Sequence, residues 1–382
     1  MGKRSNGEGC VSKRKDGRWQ ASIAVGFDQN GKIIRKYFYG HTRKEVQEKL
    51  DAFRKTDFSS LSFKEEFPLS QWMQVWLSTY KKHSVKSRTF EQYESISRLY
   101  IVPTLGKLKL GELQPIKIQN MLNKMYIDGK SRRTVELTRT VLRAALNQAR
   151  KCKLIAELPT EDVVLPRKEP TNHRVLTEEE QEQLIQELSG NYIGRALIFA
   201  LFTGLRRGEV LALKWSDFNK EEQSITVSKA LSRVKTFNGS SQKTALEVST
   251  PKTQTSGRSV PLVDKAVDLL LLHKKSQEEY RDFVGDHYKN QELIFSNSRG
   301  GYIDPGNLNR KLNKVAKKIG IPSLSSHVMR HTFATRGLEA GVSLKAMQEF
   351  LGHSSIKITG DIYTHLLKKQ KKKEIEKMNN IF

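Results

Sequence analysis

Between residues 11 and 40 apolar and polar positions alternate with a period of two, and beyond residue 68 the apolar positions recur every three or four residues. The chain is therefore expected to begin in a small sheet and to continue in helices. Strands are predicted over 11–15, 18–27 and 33–39, with turns at Asp16-Gly17 and across 28–31. Trp19, Ala21, Ile23, Val25 and Phe27 alternate onto one face of the second strand. Thr42 followed by Glu45 makes a capping box for a helix over 43–54, which would cover that face and leave Arg18, Gln20 and Ser22 on the open side. A small sheet with an open basic side suits the major groove of DNA, which admits a β-ribbon.

The pattern breaks around 58–67, and helices follow. Trp72, Val75, Trp76 and Tyr80 stand at helical spacing, and a second helix over 89–101 is expected to stop before Pro103. A third opens at Pro115 and closes at Gly129, and a fourth runs over 132–151 from a cap at Ser131. The aromatic residues read as core, and Lys81, Lys82, Lys86, Arg132 and Arg133 near helix ends read as phosphate contacts. Pro159, Pro166 and Pro170 then mark a linker. Past it the chain is mixed. Thr177 with Glu180 caps a helix, 193–202 is a buried helix, and strands at 224–228 and 258–262 flank a polar, Lys- and Ser-rich excursion. Further helices are expected over 265–275, 305–319, 326–340 and 343–350. The fold class that follows is multidomain and mainly α: a three-stranded sheet with one helix in 1–62, a four-helix module in 63–168, and a mixed, mainly helical domain in 169–382.

Charge changes the picture more than composition does. The 382 residues carry 67 Lys and Arg against 41 Asp and Glu, a net charge of +26 with 37% hydrophobic residues. Such a chain is too apolar for a disordered polycation, and its first expected partner is a polyanion. The excess is +7, +10 and +9 over 1–62, 63–168 and 169–382, so it is spread along the chain, as contact with long duplex DNA would require. Cys10 and Cys152 are far apart and offer neither a disulfide framework nor a zinc ribbon. The apolar runs fall short of the roughly 18 residues of a membrane span, and the start lacks the apolar core of a signal peptide, so a cytoplasmic protein without membrane contact is expected.

Three clusters in the last segment combine arginine and histidine with a late tyrosine: TGLRRGEV from Thr203, HVMRHTFATR from His327, and LGHSSIKITGDIYTH from Leu351. The carboxylate clusters that hold catalytic Mg²⁺ do not accompany them, nor does HExxH, so chemistry without metal or other cofactor is expected. Arg206 follows the end of an apolar helix, where a guanidinium can fork onto two phosphate oxygens. His327 and Arg330 are one helical turn apart and share a face, whereas His331 falls elsewhere. Glu209 is placed to orient Arg206 or to pair with it at the surface.

Taken in order, these residues resemble the tyrosine recombinases, or phage-type integrases. The resemblance rests on TGLRRGEV with Arg206, PKTQTSGRSVPL with Lys252, HVMRHTFAT with His327 and Arg330, LGH with His353, and DIYTH with Tyr363. The segment GCVSKRKDGRWQASI and the helical module are similar to the arm-binding and core-binding domains of integrases carried by phages and integrative conjugative elements. The resemblance implies strand cleavage through a 3′-phosphotyrosine on Tyr363, with His327 as base, Arg206 and Arg330 on the phosphate, a hydrogen bond from His353, and Lys252 as general acid. Lys229, Lys235 and Lys243 lie in the same polar stretch, and the PKTxxSxR context favours Lys252. It further implies core and arm sites on double-stranded DNA, a homotetramer on DNA, an excisionase and a DNA-bending protein as partners, a nucleoid setting in a bacterial cytoplasm, and a C-terminal tail docked on a neighbour through Ile375, Met378 and Ile381. A type IB topoisomerase or a non-catalytic, sequence-specific DNA-binding protein stands as the alternative.

Overall fold

The computed structural model describes residues 10–14, 16–27, 33–55, 67–168, 174–237, 243–249, 257–322, 324–353, 355, 356 and 360, the side chains of 10, 23–27, 33–36 and 52–55 excepted. The chain divides into two compact units, Met1–Glu169 and Pro170–Phe382.

The first unit starts with an antiparallel sheet, β1 (Cys10–Lys13), β2 (Trp19–Phe27) and β3 (Ile33–Gly40), followed by α1 (Arg43–Lys55). Ala21, Val46 and Leu50 form a small core with Val11, Trp19 and Phe38 packed against it, so α1 covers the apolar face at Trp19 and Ala21, while the side chains of Ile23, Val25 and Phe27 lie outside those described. Thr42 Oγ1 accepts from Glu45 N at 3.2 Å, while Glu45 Oε2 accepts from His41 N at 2.9 Å, one residue earlier than a closed capping box. The register of β2 on β3 shifts between Ala24 and Gly26, which interrupts strict alternation beyond Ala24. Ser22, expected on the open side, is buried at 7% exposure, because it lies on the central strand with β1 and β3 on both flanks. What the open side shows is Tyr37 stacked on Tyr39 at 6.5 Å with Arg14 over Tyr39.

The helical module of this unit comprises α2 (Leu69–Val75), α3 (Ser87–Ile96), α4 (Val102–Leu105), α5 (Pro115–Ile127) and α6 (Arg132–Lys151). A π-helical turn at Trp76–Lys81 extends α2, and another at Ser97–Ile101 joins α3 to α4. The second turn overturns the expectation that the helix stops before Pro103. Val102 N reaches back to Ser97 O, a wider turn that lets Pro103 enter the first turn of α4 without an i−4 partner. Trp72 and Trp76 are buried as expected, with Trp72 Nε1 donating to Ala145 O at 2.9 Å and Trp76 stacked on Tyr93 at 5.5 Å. The bounds of α6 coincide with the expected ones, capped by Ser131, whose side chain accepts from Thr134 N.

In the second unit α7 (Glu178–Leu188) opens with a complete capping box from Thr177 and Glu180, and α8 (Tyr192–Thr203) is buried along most of its length. α9 (Arg207–Val210) follows, then a sheet of β4 (Phe218–Asn219), β5 (Ser224–Val227) and β8 (Arg258–Pro261). Between β5 and β8 the polar excursion contains an antiparallel pair, β6 (Ala230–Lys235) and β7 (Thr244–Ser249), which sequence reading left without structure. Leu231 and Val234 of this pair are buried, a weak alternation hidden among lysines and serines. α10 (Asp264–Val284) runs well past its expected end at 275, because its second half is a polar, solvent-exposed helix with few apolar positions to read. α11 (Pro305–Lys318), α12 (Ser326–Glu339) and α13 (Leu344–Leu351) stand close to their expected bounds. The core of this unit gathers around α8, with Phe199 against Phe295 at 5.5 Å.

Candidate active site

Two helices, the apolar α8 and the amphipathic α13, end at left-handed glycines, and their last carbonyls meet in one place. α8 closes at Gly204 (φ 63°) and α13 at Gly352 (φ 63°). A Cβ on Gly204 would stand 2.8 Å from Leu351 Cδ2, and one on Gly352 would stand 2.7 Å from Arg258 Nη1, so both positions need glycine for space as well as for φ.

A helix C-terminus leaves carbonyls without intrahelical donors. At α13 three successive carbonyls each accept from a different arginine: Phe350 O from Arg258 Nε at 3.0 Å, Leu351 O from Arg330 Nη2 at 2.6 Å, and Gly352 O from Arg206 Nη2 at 3.0 Å. Arg330 Nη1 also donates to Gly204 O at 2.7 Å, so its cation sits at the negative ends of α8 and α13 together. Glu209, 7% exposed, accepts from both other arginines: from Arg206 N and Nη1 at 2.8 and 2.9 Å, and from Arg258 Nη1 and Nη2 at 3.2 and 2.8 Å. Glu209 thus serves as a buried bridge, the first of the two roles its sequence position allowed.

Burial raises the Glu209 pKa, but the hydrogen bonds and charge of Arg258, followed by those of Arg206, outweigh it and hold the carboxyl below its ordinary value. Arg330 is pushed down to about 9, first by desolvation and then by the Arg206 charge. It stays charged at neutral pH.

The histidines lie beside this cluster. His327 is in the first turn of α12, whose N-cap Ser325 accepts from Val328 N at 3.3 Å, and Arg330 is one turn further along. Together with Arg206 they line a cleft of about 360 Å³, whose other wall includes Asn309 and Asn313 of α11. His353 directly follows the glycine that ends α13, and its backbone is pinned by Gln348 through His353 N to Gln348 O and Gln348 Nε2 to His353 O, both 3.1 Å. Desolvation, then the charges of Arg330 and Arg206, lower both histidines, His353 to about 4. Both are neutral imidazoles at pH 7. The structure therefore brings together Arg206, Glu209, His327, Arg330 and His353. Lys252 and Tyr363 lie outside the described residues, as do Ile375, Met378 and Ile381.

Sequence reasoning missed Arg258. Its local signals were its place as the last residue of the PKTxxSxR context and a segment read as a strand, and its partners Glu209 and Phe350 are 49 and 92 residues away. Such an array of cations with one buried carboxylate, a helix N-terminus and two neutral histidines can hold a phosphoryl group and accept a proton beside it. Among the described residues no group of three or more His, Cys, Asp or Glu side chains is placed to hold a metal ion, and no described helix is long and apolar enough to cross a membrane.

The proposed phosphate contacts of the first unit differ in availability. Arg18 is exposed with its guanidinium on Asp16 at 2.9 Å, and Arg132 donates to Pro166 O at 2.8 Å and to Glu136 at 3.3 Å. Lys81 lies over the Trp76 ring at 5.4 Å, Arg133 pairs with Glu136 at 3.4 Å with most of its side chain exposed, and Lys82 and Lys86 are exposed.

The chain is similar to known proteins. Residues 174–370 match the phage integrase family, and residues 69–126 match the phage integrase N-terminal SAM-like domain. A tyrosine recombinase XerC-like protein from Caldanaerobacter subterraneus subsp. tengcongensis is 33% identical over 377 residues, covering 95% of this chain and 96% of the relative. The ICEBs1 integrase of Bacillus subtilis is 26% identical over 383 residues, covering 97% and 99%. Among solved structures, the Tn1549 transposon integrase in complex with a circular intermediate DNA superposes with a TM-score of 0.67 at 23% identity, over 82% of this chain and 99% of that one. The lambda integrase tetramer bound to a Holliday junction gives 0.57 at 20% identity, over 90% and 95%.

Proposed function

Because the chain belongs to the phage integrase family of tyrosine recombinases, we propose that it is a site-specific recombinase that integrates and excises a mobile genetic element by cutting and rejoining DNA through a 3′-phosphotyrosine. The observation that carries this reading is the convergence of Arg206 and Arg330 on the carbonyl end of α13, next to His353 and on an open cleft whose wall includes His327.

In this reading the Tyr363 hydroxyl attacks the scissile phosphorus, a P–O bond to tyrosine forms, and the bond to the 5′-oxygen breaks. Tyrosine ordinarily titrates at about 10, so its proton must leave to an acceptor as the bond forms. His327 takes it, being neutral at pH 7 on the wall of the cleft. Arg206 and Arg330 neutralise the charge that builds on the non-bridging oxygens, and His353 donates a hydrogen bond to one of them. Lys252 gives its proton to the departing 5′-oxygen. The phosphodiester energy is kept in the phosphotyrosine, so the 5′-hydroxyl of a partner strand can reverse the step without ATP. Arg206 and Arg330, with Lys252 as a third cation, supply the positive charge that a divalent metal supplies elsewhere, and the reaction is read as metal-independent.

The same proposal assigns 1–62 to arm-type DNA, 63–168 to core DNA and 169–382 to catalysis. Lys82, Lys86 and Arg133 are the exposed phosphate contacts of the core segment, and Lys81 is a half-buried one over Trp76; Arg132 holds Pro166 and Arg18 must leave Asp16 to act. Assembly is as a homotetramer on two DNA sites, as the lambda integrase is seen on a Holliday junction, with an excisionase and a DNA-bending protein as further partners, in the bacterial cytoplasm.

The test is trapping on a suicide substrate carrying the element's end, in buffer with chelator. A covalent adduct with the wild type and none with Tyr363→Phe is expected. Binding without adduct would sink the enzymatic reading, and relaxation of plasmids lacking any cognate site would move it to a topoisomerase.

A further inference from the structure

Three arginines share the end of α13, and two of them, Arg206 and Arg330, line the cleft. Arg258 has its Nε on Phe350 O and both terminal nitrogens on the two oxygens of Glu209, and its side chain is 14% exposed against 44% for Arg206. It is a planar fork closed on a carboxylate, the geometry that fixes both partners most firmly. Glu209 in turn holds Arg206 twice, through the backbone N–H and through Nη1. Arg258 therefore stands one step behind Arg206 along the chain of bonds.

It also stands behind His353. The carbonyls of Phe350, Leu351 and Gly352 belong to one turn, His353 is the next residue, and the Arg258 guanidinium packs where a Cβ on Gly352 would have to lie. A residue whose bonds run to Glu209 on α9 and to the last turn of α13, from the first position of β8, joins three separate elements at the edge of the cleft.

We propose that Arg258 is a positioning residue for strand cleavage: without touching the phosphate, it holds Glu209 and the α13 turn so that Arg206 and His353 present their donors in register. This rests on the recombinase reading above. It assigns a role to an arginine outside the set identified from sequence, and it predicts that the Arg258 and Glu209 substitutions act as one unit. The charge has a second consequence, because Arg258 is among the cations that keep His353 neutral. Removing it moves the protonation of His353 toward higher pH.

The experiment measures single-turnover adduct formation on a suicide substrate, with DNA affinity and thermal melting followed in parallel, for Arg258→Met, Arg258→Lys, Glu209→Gln and the Glu209→Gln/Arg258→Met double variant. Expected are DNA affinity within about 3-fold of wild type and cleavage slowed about 10- to 100-fold in Arg258→Met. Arg258→Lys should be intermediate, since lysine keeps the charge but loses the fork. The double variant should be no slower than the slower single and should melt above Arg258→Met, because it removes the buried carboxylate that Arg258→Met leaves with Arg206 alone as its charged partner. The imidazole titration of His353, followed by NMR, should also shift toward higher pH in Arg258→Met. Wild-type cleavage in a folded Arg258→Met, multiplicative loss in the double variant, or cleavage that falls only in step with melting would overturn the proposal. Failure of the recombinase reading itself is distinguishable, since the wild type would then form no adduct.

Discussion

Arg330 and Arg206 illustrate how differently two residues of one type can be held. Arg330 is 5% exposed and spans two helix ends through carbonyls of Gly204 and Leu351, whereas Arg206 is exposed and steadied by a carboxylate. Lysine is a point charge on a flexible stem and cannot bridge two carbonyls while facing a phosphate. Arg330→Lys should therefore slow cleavage by about 100-fold or more, with DNA binding nearly unchanged in a gel-shift titration. The histidines set the pH dependence. In the proposed mechanism His327 acts as base in its neutral form, and its pKa is lowered by burial and then by the arginines, so cleavage should hold to below the ordinary histidine value of 6.5 and then fall with acid; a limb centred above 6.5 would contradict the assignment. His273, remote from the site, gives a stability test. It is 3% exposed, with Nε2 on Ile294 O at 2.8 Å and Nδ1 without a partner, and burial pushes it down to about 4. Its folded value lies below its unfolded one, so its contribution is present above about 6.5 and is lost as pH falls toward 4, by on the order of 3 kcal/mol. Chemical denaturation of the wild type and His273→Phe at pH 7.5 and 4.5 measures it: the variant should lose less stability on acidification.

At the scale of elements, the ends of α8 and α13 matter more than their lengths. Both helices stop at a left-handed glycine because the carbonyls that follow must turn toward the arginines. Gly204→Ala imposes a left-handed alanine, costing about 1–2 kcal/mol, and drives its methyl into Phe333 and Leu351. Thermal melting should show a loss of at least about 2 kcal/mol, and cleavage should fall further than stability alone explains, since Gly204 O is a ligand of Arg330. Most elements were legible beforehand. The α6 bounds and the α7 capping box followed from caps and periodicity, both local properties of the chain. The β6–β7 pair was not legible, because its strands depend on pairing across residues 230–249 and on the approach of Leu231 to α9, where a Cβ on Gly208 would stand 2.6 Å from Leu231 O. Nor was the passage of Pro103 through a helix, which depends on the π turn before it.

At the scale of the molecule, each unit carries its own core, one built on Trp72, Trp76 and α6 and the other on α8. A chain beginning at Pro170 should fold by itself and melt cooperatively, as circular dichroism would report; a molten fragment would contradict it. The net charge of +26 makes DNA binding a counterion-release process. The logarithm of affinity should fall linearly with the logarithm of salt concentration. Lys82→Ala or Lys86→Ala should each lower that slope by about one if the residue neutralises one phosphate.

The sequence by itself determined the family, the mainly helical fold and most helix bounds, and it nominated the side chains proposed to cut DNA, because charge, periodicity, caps and ordered motifs are properties of short stretches of chain. Tertiary structure alone decided that Glu209 is buried between two arginines, that Arg258 belongs to the site, and that three arginines end on consecutive carbonyls of α13. Those facts join residues up to 146 positions apart, and no local pattern encodes them. A cluster of like charges can form there because helix carbonyls and one desolvated carboxylate meet it in space.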